Sequence, residues 1–150
     1  MGFGFLKNSK VIRCKNAVAA GTTDIADATG VDTSGFNVAT FLIIFGTITG
    51  SAVTSVKLQQ SDDDGGADDY TDLEGSNITV ADTQSNKICI ASVTKPLKKY
   101  VRAYVDRGTQ NAVVDGIICI LSDPRVAPVT QDTTVMAASE ESASPSEGTA

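Results

Sequence analysis

The chain has no histidine and no tryptophan, and its 150 residues include only three cysteines, two methionines and four prolines. Without histidine there is no Ser-His or Cys-His nucleophile pair, no imidazole base or metal ligand, and no ordinary charge switch near neutral pH. The three cysteines, Cys14, Cys89 and Cys119, are odd in number and lack CxxC spacing, so they suggest neither a zinc site nor a disulfide framework. Cys89 in KICIAS and Cys119 in GIICIL lie in apolar runs, where a thiol packs as a small hydrophobe. The phosphate-binding GxxxxGK[ST], a GxGxxG opening a helix, and the GxSxG elbow are also missing. The expectation is a protein that is not an enzyme and takes no cofactor.

Positive charge is scarce and unevenly placed. The net charge is −6, but residues 129–150 hold Asp132, Glu140, Glu141 and Glu147 with no lysine or arginine, leaving only −2 on residues 1–128. A nearly neutral body with an acidic end lacks the clustered basic face that nucleic acid requires, so no nucleic-acid partner is expected. Residues 1–15 are locally basic, with Lys7, Lys10, Arg13 and Lys15 and no acid; such an arm either keeps an end solvated or docks on an acidic surface. The apolar stretch before Lys7 is too short for a signal-peptide core, and Leu6 stands where a myristoylation motif needs Ser or Thr, so synthesis in a reducing cytoplasm is expected.

No charge occurs from Thr33 to Val56, and Gly46 and Gly50 form a GxxxG. Length alone would allow a membrane span, yet Asn37, Thr40, Thr47, Thr49, Ser51, Thr54 and Ser55 run through the segment and its β-branched residues suit strands. The expectation is two buried strands joined by a turn at Gly46 to Gly50, and no membrane.

Helical periodicity is hard to find, whereas short β-branched runs bounded by Gly, Asp, Asn and Pro recur every ten or so residues. Strands are expected at Val11 to Ala19, Val38 to Phe45, Ala52 to Gln60, Ile78 to Val80, Lys87 to Val93, Leu97 to Asp106 and Ala112 to Leu121, with a weaker one at Thr23 to Ala28. The fold class that follows is all-β, a two-sheet β-sandwich of jelly-roll or Greek-key type over residues 16–128. An extended basic N-terminal arm (1–15) and an acidic Ser/Thr/Ala-rich C-terminal extension (129–150) flank it. The extension has no large apolar residue after Met136, so any order it shows must come from a neighbour. Arm and tail, with Lys7, Lys10, Arg13, Glu140 and Glu141, are expected to make intermolecular contacts.

In the Leu97 to Asp106 strand, Leu97, Val101, Ala103 and Val105 share one parity and only Lys99 breaks that apolar face. The other face holds Lys98, Tyr100, Arg102, Tyr104 and Asp106. Tyr100, Arg102 and Tyr104 are the candidate subunit contact, because Tyr and Arg are enriched at interface hot spots; solvent exposure and single-strand stacking are the alternatives. In AVVDGIICIL, apolar through both parities, Asp115 beside Gly116 marks a bulge or a buried paired acid.

Between Gln60 and Asn77 the run SDDDGGADDYTDLEGS gathers Asp62, Asp63, Asp64, Asp68, Asp69, Asp72 and Glu74. Its oxygens suit a hard cation, but no register supplies the EF-hand pattern. A solvated hairpin loop turning at Gly65 and Gly66 is the expectation, with a calcium site as the alternative. Opposed carboxylates for glycoside hydrolysis are not expected on one loop.

The elements KLQQSDD, the D-LEGS turn, KPLKKYVR and the DRGTQNAVVDG corner, spread over Val56 to Arg125, resemble small virion structural proteins of tailed bacteriophages, of the head decoration or cement kind. The resemblance implies many copies on the capsid surface, as trimers, bound to and stabilising the shell of major capsid protein. A head-tail connector or tail protein is the neighbouring alternative. A carbohydrate- or calcium-binding β-sandwich module is another.

Overall fold

The structure is a computed structural model that describes residues 4–108, 111–143 and 146–149. The first three residues of the expected arm, Thr109 and Gln110 of the DRGTQNA corner, and residues 144, 145 and 150 of the expected extension lie outside the described residues.

Among the described residues a short helix, α1 (Phe5–Asn8), precedes nine strands: β1 (Lys10–Lys15), β2 (Val31–Asp32), β3 (Phe36–Ile48), β4 (Thr54–Ser61), β5 (Thr71–Asp72), β6 (Ile78–Val80), β7 (Ile88–Thr94), β8 (Tyr100–Asp106) and β9 (Ala112–Pro124). One 3-10 turn, Asp82–Gln84, lies between β6 and β7. The strands form two antiparallel sheets that pack as a β-sandwich, one ordered β1-β9-β3-β7 and the other β2-β8-β4-β5, with β6 also paired to β4. The first strand pairs with the last, β2 with β8, β3 with β7, and β4 with β6. A long hairpin folded back in this order and rolled up gives the jelly-roll wrapping, and rolling creates the further pairs β3·β9 and β4·β8.

Alternation sets the faces. In β3, Ala39, Phe41, Ile43 and Phe45 enter the core, and in β8 Val101, Ala103 and Val105 do the same. They meet Val56 and Leu58 of β4 and Ile117, Cys119 and Leu121 of β9 in one cluster. All three cysteines are free. The Cys14 hydrogen bond and burial hold the Cys119 thiol far above its ordinary range, and burial raises that of Cys89, so these two pack as apolar side chains; Cys14 is buried in the same core cluster.

Several expected boundaries move. The charge-free segment turns at Thr49 to Ala52, where Ala52 N–H donates to Thr49 O (3.1 Å) and Ser51 takes a positive φ; Gly46 stays inside β3, whose pairing with β9 continues to Ile48. No described helix is long and apolar enough to cross a membrane. Leu97 is 92% exposed and not on the apolar face, because the positive φ of Lys95 and the following Pro96 divert the chain and β8 begins at Tyr100. Lys99 therefore precedes the strand and interrupts nothing.

Thr23 to Ala28 is no strand; a single bridge joins Ile25 to Val105. The register of β3 on β9 passes from Ile44↔Gly116 to Phe45↔Val114, leaving exposed Asp115 as the extra residue of a bulge. The sandwich also begins earlier than residue 16, since β1 already pairs along β9 from Lys10.

Candidate functional site

The pairing of β4 with β8 sets Gln59 beside Arg102 and Lys57 beside Tyr104. Since Val56, Leu58, Val101, Ala103 and Val105 point inward, Lys57, Gln59, Tyr100, Arg102 and Tyr104 stand on the opposite, outer face of the sheet. There Lys57, Gln59, Arg102 and Tyr104 form one connected array. Tyr104 Oη donates to Asp24 Oδ2 (2.6 Å), and the Lys57 ammonium lies 4.7 Å from the Tyr104 ring. Lys57 Nζ and Gln59 Nε2 donate to the two carboxylate oxygens of Asp72 (2.6 and 2.7 Å). Arg102 Nε donates to Gln59 Oε1 (2.9 Å), its guanidinium covers the Tyr70 ring at 4.0 Å, and Tyr70 Oη donates to Asp64 Oδ1 (2.5 Å). At the end of the strand, Lys99 lies 5.1 Å from the Tyr100 ring.

Two candidate sets that are far apart in sequence, the acidic loop and the Tyr100–Arg102–Tyr104 face, thus meet through Tyr70. Gly30 allows this approach, because a Cβ there would overlap the Tyr70 hydroxyl and Asp64 Oδ1. The electrostatics keep each proton in place. The Tyr104 hydroxyl is pushed up to about 12, first by its bond to the Asp24 carboxylate and then by burial; burial, followed by Asp64, raises Tyr70 further. Asp24 is held low chiefly by Tyr104, and Asp72 chiefly by Lys57. Every shift moves its group away from neutrality, so these groups fix a pattern of charge and aromatic surface rather than exchange protons.

The acidic loop binds its own backbone. Asp63 accepts from the amides of Gly66, Ala67 and Asp68 (3.0, 2.6 and 3.1 Å), and Ser61 Oγ accepts from those of Asp63 and Gly65 (3.2 and 2.8 Å). Asp68 Oδ2 takes the Asp62 amide (2.7 Å) and the Lys98 ammonium (2.6 Å), with Asp62 3.7 Å from the same ammonium. Asp69 and Glu74 are exposed. Among the described residues no group of three or more carboxylate or thiol side chains is arranged to hold a metal ion.

Three backbone amides, that of Ala67 first, hold the Asp63 carboxyl below its usual range. A depressed carboxyl contributes order that is present above about pH 3.8 and is lost as pH falls through the lower native value. Hydrogen exchange should therefore show the Gly66, Ala67 and Asp68 amides losing protection together below about pH 3.8. Asp63→Ala should expose the same three amides at neutral pH while leaving β4 and β8 protected.

The arm and tail also meet, within one chain. Val129 N–H donates to Lys7 O (2.8 Å). The Gln131 amide donates to Leu6 O and Ser9 O (2.8 and 2.5 Å) and accepts from Val11 N–H (3.1 Å). Glu141 accepts from Leu6 N–H (3.1 Å), and Val135 to Ala137 line a groove with Val11, Ile44 and Ile118 on the outer face of the β1-β9-β3-β7 sheet. Residues 129–141 thus find partners within the chain's own residues 6–11, from α1 to the start of β1. The bonds are mostly main-chain and amide bonds. Among the described residues no ion pair joins Lys7, Lys10 or Arg13 to Glu140 or Glu141, and Lys15 pairs with Asp27 (2.5 Å).

Asp24, Lys57, Gln59, Tyr70 and Gln131 were not legible as site residues. Only the alternation of VKLQQS, which turns Lys57 and Gln59 to the same side, carried a signal for any of them. No protein-family model matches this sequence, and no curated protein matches it.

Proposed function

We propose that this chain is a structural component of a tailed-bacteriophage particle, of the head decoration type, that binds the outside of the assembled shell of major capsid protein and stabilises it. The observation that carries this reading is the pre-organised outer face of β4 and β8. Tyr70, Arg102 and Tyr104 are already fixed by neighbours, so a partner meets Tyr and Arg side chains whose ordering cost has been met in the fold. Jelly rolls occur in viral capsid proteins and also in lectins and cupins, so the fold alone does not choose among functions. The resemblance of Val56 to Arg125 supplies the choice. Binding only the assembled shell adds stability by mass action, and many weak sites act together. No catalytic group or cofactor takes part. The protein is made in the host cytoplasm and resides on the virion surface.

The test is imaging of native particles together with a binding variant. Density for this chain repeated over the icosahedral faces supports the proposal; density confined to the portal vertex, or none on the particle, overturns it. Tyr100→Ala with Arg102→Ala should lower occupancy on shells at least tenfold without unfolding the sandwich, since both side chains lie outside the core. Unchanged occupancy would move the contact to another face.

A further inference from the structure

The sheet edges of this protein are unequally protected. A free edge offers unpaired N–H and C=O groups to any other strand, and proteins blunt it with short strands, lysine, proline, bulges or a covering segment. The edge strands β2, β5 and β6 span only two or three residues. β1 carries Lys10, Arg13 and Lys15, has an irregular register at Cys14, and is covered where Gln131 accepts from the Val11 N–H and the Thr29 N–H donates to Cys14 O. β7 has none of these devices. Its seven residues ICIASVT include no charge and no proline, and its register on β3 runs without a shift.

The outward groups of β7 can be named. Phe45 N–H donates to Lys87 O (3.0 Å) and Lys95 N–H to Asn37 O (2.6 Å). Because hydrogen-bonded pairs alternate in an antiparallel ladder, Lys87, Cys89, Ala91, Val93 and Lys95 face β3, and Ile88, Ile90, Ser92 and Thr94 turn their N–H and C=O away from it. Among the described residues nothing bonds these outward groups. The same strand presents Ile88 and Ile90, 55% and 60% exposed, on the outer side of the sheet.

We propose that β7 pairs antiparallel with β7 of a second copy of this chain, joining two four-stranded sheets into one of eight strands. Charge does not oppose this occupant: residues 1–128 carry only −2 in all and β7 itself carries none, so two copies meet along this edge without a repulsion cost. The edge is also self-complementary, since one strand related by a two-fold axis supplies both halves of the ladder. Centred on Ile90, the pairing sets Ile88 opposite the other copy's Ser92 and forms about six inter-chain hydrogen bonds. This register places Lys87 opposite Val93, keeping lysines apart, and joins the four isoleucines into one apolar strip. The seam is about 24 Å long at about 3.4 Å per residue, less contact than the about 800 Å² per partner of a standard interface, so the dimer forms reversibly with concentration. The inference stands apart from the proposed function.

Sedimentation velocity of the isolated chain from about 1 to about 500 µM, the range expected for so short a seam, should show the mass rising toward twice that of the monomer. Amide exchange on the same samples should slow at least tenfold at Ile88, Ile90 and Ser92 as concentration rises, with Cys89 and Ala91 unchanged. Ile90→Lys should hold the protein monomeric, while Leu97→Lys, a charge at another exposed aliphatic, should leave association intact. A wild-type chain that stays monomeric throughout overturns the proposal. So does association that survives Ile90→Lys, or that occurs without protection at the outward amides, a reading on unmutated protein that does not depend on the variant's folding.

Discussion

Replacing Arg107 by alanine is expected to lower the unfolding free energy by about 3–5 kcal/mol, among the largest losses for any side chain that is not aliphatic or aromatic. Arg107 is only 4% exposed. Its Nε donates to Thr23 O (2.6 Å), and its Nη1 donates to Ala19 O (2.7 Å) and Ala112 O (2.9 Å). One guanidinium therefore ties the segment between β1 and β2 to the start of β9. Its backbone amide also donates to Asp24 Oδ1 (3.1 Å), so the same residue steadies the acid that holds Tyr104.

Removing the side chain strands three carbonyls and opens a void that water does not easily refill. Arg107→Lys should recover little, because an ammonium cannot reproduce the planar fork that reaches all three acceptors. Equilibrium urea unfolding measures the loss, and a value under about 1 kcal/mol would mean that solvent already reaches those carbonyls. The variant should also loosen the outer face, seen as faster exchange at the Ile25 and Val105 amides, which bond each other's carbonyls across the isolated bridge (2.8 and 3.1 Å).

Phe41→Ala is expected to cost about 3–5 kcal/mol. Phe41 is fully buried at the middle of β3, and its cross-strand neighbours are small, Cys119 on β9 and Ala91 on β7. The ring fills the space those two leave, and neither can extend into the cavity that truncation makes. Phe41→Leu should cost less, since part of the volume remains. Leu97→Ala, at a side chain 92% exposed, should change stability by less than about 0.5 kcal/mol. Calorimetric melting of the three variants checks the order, and an equal effect of Phe41→Ala and Leu97→Ala would refute this packing of the core.

The sequence by itself determined the all-β class, the alternation that selects the core, and seven of the strand positions to within a few residues. It did so because side-chain parity in a strand is a local property: Val101, Ala103 and Val105 against Tyr100, Arg102 and Tyr104 needs no partner to be read. The bulge at Asp115 was legible for the same reason, as a polar residue beside glycine inside an apolar run. Tertiary structure alone decided the remainder. The rolled order β1-β9-β3-β7 and β2-β8-β4-β5 depends on pairing between residues as far apart as Lys10 and Leu121, and local pattern does not rank such pairings. The weak run at Thr23 to Ala28 had strand-like composition but found only one bridge, since β2 holds the adjoining edge of β8.

The site followed the same division. Parity placed Arg102 and Tyr104 on the outer face, yet their partners, Tyr70 across the loop and Asp24 80 residues away, were chosen by the fold. The tail shows the limit most plainly. Its composition correctly denied it a core of its own, but only the folded chain brought Gln131 between Leu6 O, Ser9 O and Val11 N, because hydrogen-bond partners are set by proximity in space and a polar side chain does not encode which backbone it will meet.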